Sequence, residues 1–173
     1  MNKIISIGII VLAVAGLFVY TYITVPKIAY VNIDVVYEEF TLKKELEKKL
    51  QNVERERNLQ LDSLKTELQI LSTKIEAERG KNLDNLSTFH VKKERYLQKE
   101  DEFMKANQAL ADEYRAQIWK QLKQYIKDYS KNKGYDFIYG VDDGYNFIYV
   151  NESDDITDKL KEFVNNKYNG SSK

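Results

Sequence analysis

The sequence predicts an α+β fold that is mostly α. A long antiparallel helical hairpin, a coiled-coil arm, projects from a small β-rich oligomerisation body, and a transmembrane or signal helix precedes both. Three observations carry this expectation. Between Pro26 and Gly134 the only helix breaker is Gly80, and Gly or Pro in a helix interior costs about 1 or 3 kcal/mol. Apolar residues in that tract recur at heptad spacing. The runs on either side of it are short and rich in aromatic and β-branched residues.

Composition narrows the function classes. Among 173 residues, 27 Lys and Arg balance 27 Asp and Glu, which argues against a nucleic-acid protein. There is no cysteine, so disulfide scaffolds, thiolate metal sites and cysteine nucleophiles are excluded. The single histidine, His90, stands four residues from Glu94 with no third ligand in view, so no metal and no cofactor is expected. No catalytic constellation is present, and the chain is not expected to be an enzyme. The one Gly-Lys pair, Gly80-Lys81, has Ile75 where a phosphate-binding loop needs its first glycine.

Residues 1–26 form the first segment. Ile4 to Val25 are uncharged and mostly apolar, and such a helix spans about 33 Å against a hydrocarbon core of roughly 30 Å. Tyr20 and Tyr22 suit an interfacial belt. The alternative is a cleaved signal peptide with Ala13-Val14-Ala15 as its processing site. Cleavage there would leave the greasy terminus Gly16-Leu17-Phe18-Val19-Tyr20, so a retained anchor is favoured. Either reading exports the rest of the chain.

Residues 27–40 and 134–166 are expected to build the body. Lys27 to Asp34 reads as a strand. Tyr135 to Tyr139 and Asn146 to Val150 read as two further strands joined by the hairpin connection Gly140 to Tyr145. Thr157 is placed to cap a last helix with Ile156, Leu160, Phe163 and Val164 on one face. Residues 167–173 are expected to form a disordered tail. Three strands and one helix bury too little alone, so association of subunits must supply the missing core. The residues expected in that oligomer body are Ile28, Tyr30, Ile33, Phe137, Tyr139, Phe147 and Tyr149.

Residues 41–133 are the arm, with its tip near 80–86, where Gly80, Asn82, Asp84 and Asn85 cluster. Leu46, Leu50, Val53, Arg57, Leu61, Leu64, Leu68, Leu71 and Ile75 form the first helix's seam, with a stutter at Arg57. In the return helix, His90, Leu97, Met104, Ala111, Ile118 and Tyr125 fall every seven residues and read as the main apolar row. Phe89, Tyr96, Phe103 and Leu110 form a second series one position earlier. Residues 79–133 carry 13 basic and 8 acidic residues, so the return arm is mildly basic.

Lys27-Ile-Ala-Tyr-Val-Asn32 with Tyr37-Glu-Glu-Phe40, Leu86-Ser87 near the tip, Lys133-Gly-Tyr-Asp-Phe-Ile-Tyr139 and Asp155-Ile-Thr-Asp-Lys-Leu160 occur in this order. In that order and spacing the chain resembles the Skp/OmpH family of periplasmic chaperones. The resemblance implies a homotrimer, a β-rich body and helical tentacles around a cavity that holds unfolded outer-membrane proteins without ATP. Candidate client contacts are Phe89, Tyr96 and Phe103, beside the main row, and Lys92, Lys93 and Arg95, the alternative being that the aromatics fill the hairpin seam and the cations are solvated helix charge. The best-known members are soluble and strongly basic, whereas this chain is neutral and reads as anchored to the inner membrane from the periplasmic side. The competing reading is a membrane-anchored coiled-coil spacer or adaptor of the cell envelope.

Overall fold

A computed structural model describes residues 11–18, 20, 25–141 and 149–170. Residues 11–18 are helical. Residues 4–10, 19 and 21–24 of the apolar N-terminal segment lie outside the described residues. Among the described residues no helix is long and apolar enough to cross a membrane. The remaining elements are β1 (Ile28–Asn32), α1 (Ile33–Glu38), α2 (Thr41–Ala77), α3 (Leu83–Lys133), β2 (Phe137–Val141), a 3-10 turn (Glu152–Asp154) and α4 (Thr157–Tyr168). The chain divides into two compact units, one formed by residues up to Glu38 together with Lys123 onward, the other by Glu39–Leu122.

In the first unit β1 and β2 form a two-stranded parallel sheet with Ile28 opposite Phe137, Tyr30 opposite Tyr139 and Asn32 opposite Val141. Alternation sends Ala29 and Val31 into the core, where Val36, Tyr129, Ile156, Leu160 and Val164 are also buried. The strand ends earlier than its sequence suggests. Asn32 accepts a hydrogen bond from the Val35 amide at 3.1 Å, which caps α1 and puts Ile33 and Asp34 in a helix.

Two expectations for the body change. Thr157 does not cap α4. Its hydroxyl oxygen accepts the Asn32 amide at 2.9 Å, tying α4 to β1, and Asp155 accepts the Thr157 amide at 2.7 Å instead. The expected third strand falls mostly on residues 142–148, Phe147 included, which lie outside the described residues. Tyr149 and Val150 carry no strand. Lys167 and Tyr168, expected in the tail, belong to α4. Lys167 bonds Asp128 and lies over the Tyr125 and Phe163 rings at 5.3 and 5.6 Å.

Lys27 fastens the start of this unit to the end of α3. Its amide donates to Asp136 at 2.7 Å, its ammonium donates to the Lys133 carbonyl at 2.7 Å, and its charge lies 4.3 Å from the Tyr135 ring centre. The carbonyl it caps is at the negative end of the helix dipole. Gly134, at φ +68°, closes α3 with a paired motif: Tyr135 N–H bonds the Ser130 carbonyl and Gly134 N–H bonds that of Lys131.

In the second unit α2 and α3 run antiparallel. Glu78 accepts from Asn85, Glu67 pairs with Lys92 at 2.6 Å, and Asn107 accepts from Arg57. That register places Leu46 level with Ile118 and Leu42 level with Leu122, and all four are buried. The turn occupies residues 78–82. Arg79 (φ +52°) and Gly80 (φ +68°) are both left-handed there, while Gly80 N–H bonds the Ile75 carbonyl at 2.9 Å. Asn82 caps α3 through the Asp84 and Asn85 amides, so Asp84 and Asn85 belong to the helix and not to the turn.

Left-handed backbone costs an L side chain about 1–2 kcal/mol that glycine does not incur. Gly134→Ala is therefore expected to lower the free energy of unfolding by about 1 kcal/mol, and Arg79→Gly to raise it by up to about 1 kcal/mol. Urea denaturation reads both. The hydrogen bond from Lys167 holds the Asp128 carboxyl below its usual range, with Gln124 and Lys131 adding to the effect. A depressed carboxylate stabilises above its unfolded pKa and loses that contribution as pH falls through the folded value. Asp128→Asn should thus melt earlier than the parent at neutral pH, and the difference should shrink below about pH 4.

Candidate functional site

Two surfaces are left unfinished by the packing described above. The first is the outer face of the two-stranded sheet. Since Ala29 and Val31 point inward, Ile28, Phe137 and Tyr139 point out and are 46%, 52% and 44% exposed. Phe137 and Tyr139 stack on each other at 6.2 Å with their planes 15° apart. Tyr30 is half-buried beside them, and Asp155 pairs with its backbone as an isolated bridge. Desolvation raises the Tyr30 hydroxyl's pKa first, with Asp155, Glu152 and Asp154 adding to it. Ile33 is half-buried, whereas Tyr149 is exposed.

The second surface is the middle of the helical hairpin. The predicted α2 row, Leu46 through Ile75, is its seam, buried at Leu46 and half-buried at every later position. On α3 the two seven-residue series exchange roles between Phe89 and Leu110, whereas nearer the base Ile118 of the main row is buried level with Leu46. Phe89, Tyr96, Phe103 and Leu110 are half-buried against that seam, while Leu97 and Met104 of the supposed main row are 50% and 64% exposed. Residues one apart on a helix differ by about 100° in direction, so at any one level only one series can face α2, and the drift of about 20° per heptad lets the facing row change along the helix. The bulkier one does, since large aromatic side chains bury the most area. Bulk was the sequence signal that could have separated them.

Polar groups interrupt the seam. Arg57 donates to Asn107, and its guanidinium lies 5.7 Å from the Phe103 ring centre, with the Lys99 ammonium at 5.2 Å. The Tyr96 hydroxyl donates to Glu100 at 2.9 Å, and that bond is the first cause of its raised pKa. Phe89 meets the His90 ring edge-on at 6.1 Å. Lys92 is engaged with Glu67 and holds that carboxyl below its usual range, with Arg95 assisting. Lys93 and Arg95 are exposed.

A shallow groove runs along each side of this polar stretch. One, of about 430 Å³, has Leu61, Phe103, Met104 and Ala111 as its apolar lining and Glu54 and Glu100 as its charged residues. The other, of about 220 Å³, carries Arg95 and Lys99 beside Leu64 and Phe103. Neither groove is enclosed enough to bury a small molecule. Among the described residues no three potential metal ligands come together. The chemistry on offer is dispersed apolar contact, carboxylates on one side and cations on the other.

If Arg57 and Asn107 fix the helix register, their coupling is measurable. A double-mutant cycle through Arg57→Ala and Asn107→Ala is expected to return about 1.5–3 kcal/mol, the range for a hydrogen bond to a charged group. A value near zero would leave the register to the apolar positions alone.

The family model described as outer membrane protein (OmpH-like) matches residues 27–164. No curated protein matches the chain.

Proposed function

Since the chain belongs to the OmpH-like family, which is the Skp/OmpH family its sequence resembles, we propose that it is an ATP-independent periplasmic holdase. In this reading it binds unfolded outer-membrane proteins between the helical arms of a homotrimer. The N-terminal apolar segment holds it at the inner membrane. The observation that carries the reading is the set of bare apolar side chains on the hairpin. Leu59, Ile70, Leu83, Val91, Leu97 and Met104 are each at least 50% exposed. They are spaced singly among charges rather than gathered into one patch. In this reading each separated side chain makes one weak contact with a chain that has no fixed shape. Summed over several arms, weak contacts give avidity. Release needs no nucleotide, because a client that folds or inserts withdraws its own apolar surface.

The outer sheet face supports the trimer part of the reading. Ile28, Tyr30, Phe137 and Tyr139 offer an apolar, aromatic surface on a sheet that has two strands among the described residues, too small to be stable alone. A neighbouring subunit covering it would complete the body.

Two measurements test the proposal. Native mass measurement should give three chains, and Phe137→Asp with Tyr139→Asp should shift the mass to one chain. An unfolded outer-membrane barrel mixed with the parent protein should stay soluble without ATP, and light scattering should rise with the double variant. A barrel that aggregates equally fast with and without the parent protein rules out the holdase.

A further inference from the structure

The two grooves of the hairpin are oppositely charged, and Phe103 borders both. In the larger groove one carboxylate stands on each helix, Glu54 on α2 and Glu100 on α3, and the Tyr96 hydroxyl holds Glu100 in place. The seam cation Arg57 is committed to Asn107 and to the face of Phe103, where Lys99 also lies at 5.2 Å. Arg55, farther round α2, donates to Asn52 at 3.2 Å and lines the next hollow with Asp62. Met104 and Leu61 line the groove together with the two carboxylates, and Asn58 and Asn107 line it as well.

We infer that this acidic groove is a subsite for an extended, non-native polypeptide segment in which apolar side chains alternate with basic ones. The occupant follows from charge and shape. A thioether and a leucine accept an apolar side chain of any form. Side-chain amides both donate and accept, which suits the unpaired backbone of an unfolded segment. Carboxylates on both helices favour Lys or Arg beside the apolar positions and disfavour Asp or Glu. The inference rests on the holdase reading and adds a preference to it: this hairpin side selects basic strands although the return arm as a whole is basic.

The chain has no cysteine, so Met104→Cys gives the full protein a single thiol for an environment-sensitive fluorophore. The probes are two short peptides of alternating Leu and polar residues, identical except for Lys or Glu at the polar positions. The Lys peptide is expected to shift the fluorescence at a concentration about threefold lower or better, and added salt should close the gap. Glu54→Gln with Glu100→Gln should abolish the preference, and Glu54→Lys with Glu100→Lys should reverse it, helicity being checked by circular dichroism. Equal response to both peptides, or a preference for the Glu peptide, overturns the inference. So does a shift seen only with the label at Ser63→Cys on the opposite groove. The barrel-solubility assay run on the same protein separates the two claims. A soluble barrel with no peptide preference removes the subsite and leaves the holdase, whereas an aggregated barrel removes the holdase whatever the peptides do.

Discussion

Parallel pairing of Ile28–Asn32 with Phe137–Val141 is the constraint on which the rest depends. Two parallel strands cannot be joined by a tight turn and need a long crossover connection. Here the crossover contains α1, α2 and α3, and it must begin and end at the same sheet. Two helices of 37 and 51 residues joined by a turn at 78–82 meet that requirement. The Lys27 contacts with Lys133 and Asp136 and the left-handed Gly134 fix where the return helix stops. Closing so long a connection carries an entropy cost, and it grows only slowly with length. The small core around Ala29, Val31, Ile156 and Leu160 therefore has much to offset with few residues.

Within the hairpin, a two-helix seam can cover only one side of each helix. The positions beyond Leu46 are half-buried for that reason, and the interruption by Arg57 and Asn107 weakens the seam further. The ion pairs do little to compensate. Lys92–Glu67, Lys105–Asp101 and Arg115–Asp112 are all substantially exposed, and such pairs are worth about 0–1 kcal/mol each. The result is a hairpin that keeps its register through a few specific contacts while leaving apolar side chains bare. That combination is a poor design for a rigid core and a suitable one for repeated, weak, reversible contact.

The candidate surfaces were legible to different degrees. The bare sheet residues Ile28, Phe137 and Tyr139 stood out as aromatic or β-branched runs too short to bury themselves. Phe89, Tyr96 and Phe103 were recognisable as a series, but their placement was not. Two apolar rows one residue apart look equally periodic in sequence, and the choice between them is made by the partner helix. The opposite charges of the two grooves were equally hidden. Glu54 and Glu100 are far apart in the chain and share a groove only through the antiparallel register.

Local physics settled by the sequence itself includes the helical tract, the α2 seam, the breaker at Gly80 and the terminating Gly134. Each depends on the propensity and spacing of residues close together in the chain. Tertiary structure alone decided the parallel strand partners, the use of Thr157 as an acceptor for Asn32 instead of a cap, the docking of Lys167 on Asp128, and which row of α3 faces α2. These are contests between groups that are distant in sequence and nearly equal in intrinsic preference. Their outcome depends on which neighbour is present, and only the folded chain supplies that neighbour.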